Sequence, residues 1–161
     1  MLYFSVFTPG LISGFFHTHY DVENQLSVFS LSDIWSLYEL AINGNIFDDT
    51  FTLVLITAHG TKYALKFADP QALVDFGDEW FSDWGVDTSS IPNYVNKQDE
   101  IENRFYEMGI KPRNPNKNHK NEKKFAKFLN NYNMGLELFK SNNDFTQWEK
   151  VNPDGTTTPC N

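Results

Sequence analysis

Cysteine is almost missing from this chain: Cys160 is the single thiol in 161 residues, so no disulfide can close within it and no thiolate metal cluster can form. Long apolar runs are also missing. None approaches the ~20 residues that a membrane-spanning helix needs, which argues against a membrane partner. The opening stretch Met1-Leu2-Tyr3-Phe4-Ser5-Val6-Phe7 lacks the basic region and small-residue cleavage site of a signal peptide, leaving a cytoplasmic location as the default expectation. Positive charge is scarce as well, with 13 Lys and Arg against 21 Asp and Glu and a net charge of −8. That balance disfavours nucleic acid as a partner, because phosphate binding draws on Lys and Arg to release counterions. No internal repeat, no phosphate-cradling glycine loop and no serine-histidine-acid arrangement is recognisable.

What the chain has in quantity is aromatic side chains, 16% of all residues and including 15 Phe and 4 Trp, which mark a globular chain. Its length suits one domain with a sizeable core.

The stretch that carries chemistry is Phe16-His17-Thr18-His19-Tyr20, followed by Ser30-Leu31-Ser32-Asp33. Side-chain direction alternates along a strand, so two histidines one residue apart point to the same face and can offer imidazole nitrogens to one ion. A carboxylate from the first turn of a following helix supplies a third ligand, and three protein ligands plus water is how a catalytic zinc site keeps an open position. Asp33 is placed to be that carboxylate. The plainer reading of Ser30-x-x-Asp33 is a capping-box-like helix start, and the two roles are compatible in one turn.

This pattern resembles the signature of the JAB/MPN metallopeptidases, also called the JAMM family: His-x-His, seven residues, then Ser-x-x-Asp. Here ten residues, Tyr20 to Phe29, separate His19 from Ser30, a loop three residues longer. At the family's own spacing Ser27 pairs with Ser30, which places a hydroxyl where a charged ligand belongs. A loop absorbs three residues at little entropic cost, so Ser30 and Asp33 are the preferred register.

The resemblance covers about residues 14–67. It implies a zinc-dependent metallopeptidase or isopeptidase, with Zn2+ held by His17, His19 and Asp33. Ser30 is then the catalytic hydrogen-bond donor to the oxyanion, and the substrate is a peptide or isopeptide. The family's general base is a glutamate on an upstream strand, and no acidic residue precedes Asp21 here. The expectation is therefore either a shortened form of a larger protein or a degenerate member. In the degenerate case the chain is a non-catalytic binding or immunity-type module that retains the fold. The PHP phosphoesterases also begin with His-x-His, but they need a larger barrel and several further ligands, and only His59 and His119 remain to provide them.

Taken in order, Leu2 to Phe7 and Leu11 to His19 read as strands, and Asp21 to Phe29 as a loop whose acids, Asp21 and Glu23, are solvated. Ile34, Leu37, Tyr38 and Ala41 recur at helical spacing until Asn43-Gly44 stops the run. Thr52 to Thr57 and Lys62 to Phe67 form a hairpin about Ala58-His59-Gly60-Thr61, with His59 an exposed turn residue. The first of these strands is apolar enough to be buried on both faces. Asp69-Pro70 opens a helix through Leu73, Phe76, Trp80 and Trp84 that ends at Gly85, with Asp75, Asp78, Glu79 and Asp83 as a solvated face. Lys97 to Met108 is a further amphipathic helix, Lys111 to Lys120 a solvated linker, and Asn121 to Tyr132 another helix. Leu136 to Lys140 and Phe145 to Val151 form a terminal hairpin, and Thr156 to Asn161 is a polar tail.

The fold class that follows is mixed α/β, that is α+β. The resemblance implies a deaminase-like layered sheet with flanking helices over about 1–85, extended by helices and a hairpin over about 86–161, all within a single domain 1–161.

Overall fold

The computed structural model describes residues 12–46, 50–87, 89–92, 94–112 and 117–160. Among them the order is β1 (Gly14–His19), α1 (Leu31–Ile42), β2 (Thr52–Thr57), β3 (Lys62–Phe67), α2 (Pro70–Trp80), α3 (Lys97–Glu107), α4 (Asn118–Asn131), β4 (Leu136–Ser141), β5 (Trp148–Val151) and β6 (Thr157–Pro159). The strands build one six-stranded sheet in chain order. β1 and β2 are parallel, a pairing that needs a crossover connection such as the one containing α1, and every later pair is antiparallel. This is the mixed α+β class that the order of patterns predicts. β3 pairs directly with β4, so the terminal hairpin continues the same sheet.

One face of the sheet carries the core. Phe15, His17 and His19 of β1 stand opposite Leu53, Leu55 and Thr57 of β2, and the burial of β1 alternates to match, with Phe16 70% exposed on the other side. The inward face continues through Tyr63, Leu65 and Phe67 into Leu136 and Leu138. These side chains share a single cluster with Ile34 and Leu37 of α1, Leu73 and Phe76 of α2, Ile101 and Phe105 of α3, and Phe125 and Phe128 of α4. The histidines thus lie on the helix-covered face.

α1 is fixed against α2 by an unusually close approach. A Cβ at Gly77 would stand 2.1 Å from Tyr38 Cδ2, so only glycine lets the ring lie on the α2 backbone. The Tyr38 hydroxyl then donates to Asp78 Oδ1 at 2.7 Å. The C-terminus of α1 follows its sequence signal: Asn43 is the C-cap, and Gly44 takes φ +66.

Several expectations need correction. β2 is not buried on both faces, because Val54 and Ile56 are half-exposed while Leu53 and Leu55 are buried. α2 ends at Trp80, leaving Trp84 in the following turn, and Asp83 is only 4% exposed. Asp83 accepts hydrogen bonds from the Tyr94 hydroxyl at 2.9 Å and from the backbone N–H groups of Lys97 and Gln98 at 2.9 and 3.2 Å. It satisfies the otherwise orphaned donors at the start of α3, a role invisible to local patterning because the acid lies far upstream of that helix. The segment read as a polar tail contains β6, where Thr157 pairs with Val151. An edge strand of threonines makes its ladder through the backbone and shows no apolar alternation. α4 begins at Asn118, inside the predicted linker, with Asn118 and Asn121 buried. The Asn121 amide donates to Ser27 Oγ and to the Lys111 carbonyl. The predicted strand Leu2 to Phe7 lies outside the described residues.

Gly77 supplies a test of the α1–α2 packing. In an open helix Gly→Ala gains about 1 kcal/mol, whereas Gly77→Ala is expected to lower stability by roughly 1–3 kcal/mol through overpacking against Tyr38. Urea unfolding of the two proteins measures the difference, and an equal or higher midpoint for the variant would contradict this packing.

Candidate metal centre

β1 delivers its two histidines to the start of α1. His19 is 5% exposed, and its Nδ1 lies 2.8 Å from the Leu26 carbonyl oxygen. That bond makes Nδ1 the donor, so in the neutral ring Nε2 carries the lone pair and faces the centre, and in the protonated ring it donates to Asp33. The carbonyl is available because the second half of the connecting loop, Leu26 to Phe29, is packed into the core. Asp21 and Glu23 stay in the outer half of this loop, where Asp21 Oδ1 accepts the Glu23 N–H, and neither reaches the histidines.

α1 begins as its sequence predicts. Ser30 is the N-cap in extended backbone, and Asp33 at the third helical position completes a capping box. The Asp33 N–H donates to Ser30 Oγ at 3.3 Å, while the Ser30 N–H and hydroxyl donate to Asp33 Oδ2 at 2.7 and 2.9 Å. The carboxylate, 4% exposed, is thereby aimed at the strand end. His17 Nε2 lies 3.2 Å from Asp33 Oδ1, and His19 Nε2 lies 3.4 Å from Asp33 Oδ2. The two imidazoles stand nearly perpendicular, at 88° with centroids 4.9 Å apart.

Each ionisable group responds to this company. Burial pushes the Asp33 carboxyl upward, but the hydrogen bond from His19, the charges of both histidines and the Ser30 N–H together hold it below the ordinary 3.8. Burial also works against a charged His19, yet the Asp33 hydrogen bond and charge, with the Leu26 carbonyl, outweigh it and raise its pKa above 6.5. For His17 burial wins over the attraction of Asp33, and its pKa falls. Near neutral pH the centre therefore holds an ionised carboxylate and a neutral His17, with His19 the readier of the two to carry a proton.

This donor set could hold a metal ion. His17, His19 and Asp33 each present one ligand atom, all within 4.8 Å of one another. The imidazoles approach different oxygens of the carboxylate, His17 Nε2 at 3.2 Å from Oδ1 and His19 Nε2 at 3.4 Å from Oδ2, so both rings and the carboxylate face one point. The hydrogen bond from His19 to a backbone carbonyl is the outer contact that metal-ligating histidines usually make.

The centre opens into a cleft of about 490 Å³. Trp35 of α1 and Trp84 stack at 6.1 Å in its wall, and α3 closes it with Gln98, Glu102 and Tyr106. Nothing in the sequence pattern flags this wall, because α3 is remote in the chain and its helical period reports only its core face. Ser27 is not part of the centre. Its Oγ accepts the Asn121 amide and its carbonyl accepts the Thr61 hydroxyl, so the register that brings a carboxylate to the histidines is Ser30 with Asp33. Ser30 is present, but its hydroxyl proton is directed to Asp33 Oδ2.

His59 is not the exposed turn residue that its position predicts. It is 5% exposed, with Nε2 3.0 Å from the Gln25 carbonyl oxygen, and it pins the loop instead of joining the centre. Turn chemistry gave no sign of this, because the partner comes from the long loop after β1 and the Asn118 amide of α4 covers the His59 carbonyl.

No family model matches this chain, and no curated protein and no solved structure matches it.

Proposed function

We propose that the chain is a zinc-dependent metallopeptidase or isopeptidase domain of the JAB/MPN kind, with His17, His19 and Asp33 as the ligands. The observation that carries this reading is the convergence of a His-x-His strand end and a buried capping-box aspartate at 3.2 and 3.4 Å. A bound zinc ion would supply Lewis acidity, lowering the pKa of its water toward about 7 and polarising a scissile carbonyl.

The chain's own groups do the rest. Asp33 contributes the negative charge, and the Leu26 carbonyl keeps His19 in the tautomer that presents Nε2 inward. Ser30 has two positions available to its proton. Turned toward Asp33 it orients the ligand, and turned into the cleft it donates to a developing oxyanion, a contact worth roughly 10²–10³ in rate. The family's upstream glutamate has no counterpart before Asp21, and loss of a general base costs about 10²–10⁴. Slow turnover by this chain alone is consistent with the proposal.

Metal analysis tests the ligand set. Purified protein supplied with zinc is expected to carry one equivalent by elemental mass spectrometry. Asp33→Asn keeps the shape but removes the charge, and should weaken zinc by more than about 100-fold, beyond the 10–100-fold range of outer-contact losses. Ser30→Ala, which leaves the Ser30 backbone donor in place, should cost about tenfold in affinity and 0.5–2 kcal/mol in stability from the lost cap. His59→Ala should leave the zinc content unchanged. Folded protein that ignores zinc, or Asp33→Asn with wild-type affinity, overturns the proposal.

The pH dependence has a definite sign. Zinc and protons compete for the imidazoles, and the raised pKa of His19 means that its proton is displaced even somewhat above pH 6.5. Affinity should fall about tenfold per pH unit as His19 takes up its proton, and more steeply once the lower pKa of His17 is passed. Asp33, whose pKa is depressed below 3.8, stays ionised throughout and adds no slope. Competition titrations between pH 5 and 8 measure this, and a flat profile would exclude imidazole ligands.

A further inference from the structure

The far wall of the cleft differs in character from the metal end. Trp35 and Trp84 lie nearly parallel, at 16°, and Trp84 is braced edge-on by Phe81 at 5.0 Å. Both indoles are half-buried, so each offers part of its surface to the cleft from a fixed position. Tyr106, 60% exposed, stands on the α3 side.

Along with these rings the wall carries one carboxylate, Glu102. Its Oε1 accepts the Gln98 amide at 3.1 Å, which orients the group, and among the described residues no lysine or arginine pairs with it. The neighbouring Arg104 is occupied by Glu100. Among the described residues, no lysine or arginine lines the cleft. A carboxylate left without a cation, beside aromatic faces whose quadrupoles attract positive charge, is the chemistry of a site for an alkylammonium or guanidinium group.

We infer that this wall is a specificity subsite for a cationic side chain, taking the lysine or arginine of a peptide with its stem across Trp35 and Trp84 and its head at Glu102. Assigning that side chain to a residue next to the cleaved bond rests on the peptidase reading above. The cation binding itself does not, because none of the three wall residues is a metal ligand.

The test uses Nα-acetyl-lysine N-methylamide and its neutral counterpart, Nα-acetyl-norleucine N-methylamide, titrated into the whole chain with and without zinc. Binding is followed by the indole N–H resonances of Trp35 and Trp84, assigned through Trp→Phe variants. The lysine amide should shift both resonances saturably in either form of the protein, and the norleucine amide should bind at least about fivefold more weakly. Glu102→Gln should weaken the lysine amide by about fivefold, the worth of one half-buried ion pair, leaving the norleucine amide and zinc affinity unchanged. Equal binding of the two amides, or indifference of the lysine amide to Glu102→Gln, overturns the subsite. Protein that binds the lysine amide in this pattern but takes up no zinc upholds the subsite and removes the peptidase reading. Protein that binds zinc but neither amide does the reverse.

Discussion

The hydrogen bonds between Ser30 and Asp33 are the constraint on which the centre depends. A helix start leaves backbone N–H groups without partners, and a serine at the N-cap with an acid three residues later satisfies two of them reciprocally. In this chain the same exchange does something more. It holds a carboxylate in a buried position, satisfies one oxygen with the Ser30 N–H and hydroxyl, and leaves the group facing two imidazoles. An isolated buried carboxylate would be costly. Here the capping donors and the histidines offset that cost, which is why Asp33 remains ionised deep in the fold.

The surrounding fold serves this arrangement. The parallel pairing of β1 with β2 sets both histidines on the helix-covered face, opposite Leu55 and Thr57. The contact of Gly77 with Tyr38 fixes α1, and with it the capping turn, against α2. The buried half of the loop after β1 places the Leu26 carbonyl at His19, and His59 and Thr61 from the next hairpin hold that loop through the Gln25 and Ser27 carbonyls. The three candidate ligands come from two adjacent elements, whereas the elements that position them come from across the chain.

That division explains what the sequence reveals. Strand alternation, the Ser30-x-x-Asp33 cap, the Asn43-Gly44 stop and the Asp69-Pro70 start are local signals, and each finds its element in the structure. β2 and β3 occupy the predicted Thr52 to Thr57 and Lys62 to Phe67, because their β-branched and aromatic runs are bounded by a clear turn. Burial of His59 and Asp83 was hidden, since each is buried by partners distant in sequence, and a turn histidine or helix-end aspartate reads as solvated when seen alone. The β6 edge escaped because its pairing is carried by the backbone. The aromatic and acidic wall of the cleft escaped for a related reason: Trp84 looks like the next step of a helical stripe, and only the tertiary fold sets it against Trp35 with Glu102 nearby.

The central claim is that one metal ion is shared by two imidazoles from a strand end and the carboxylate of the capping turn. X-ray absorption at the zinc edge of the loaded protein reads this environment most directly. The account predicts a first shell of nitrogen and oxygen at about 2.0–2.2 Å, with the outer scattering of two imidazole rings and no sulfur, and loss of one ring's contribution when His17 or His19 is replaced. A shell containing a single imidazole, or one unchanged by replacing either histidine, would contradict it.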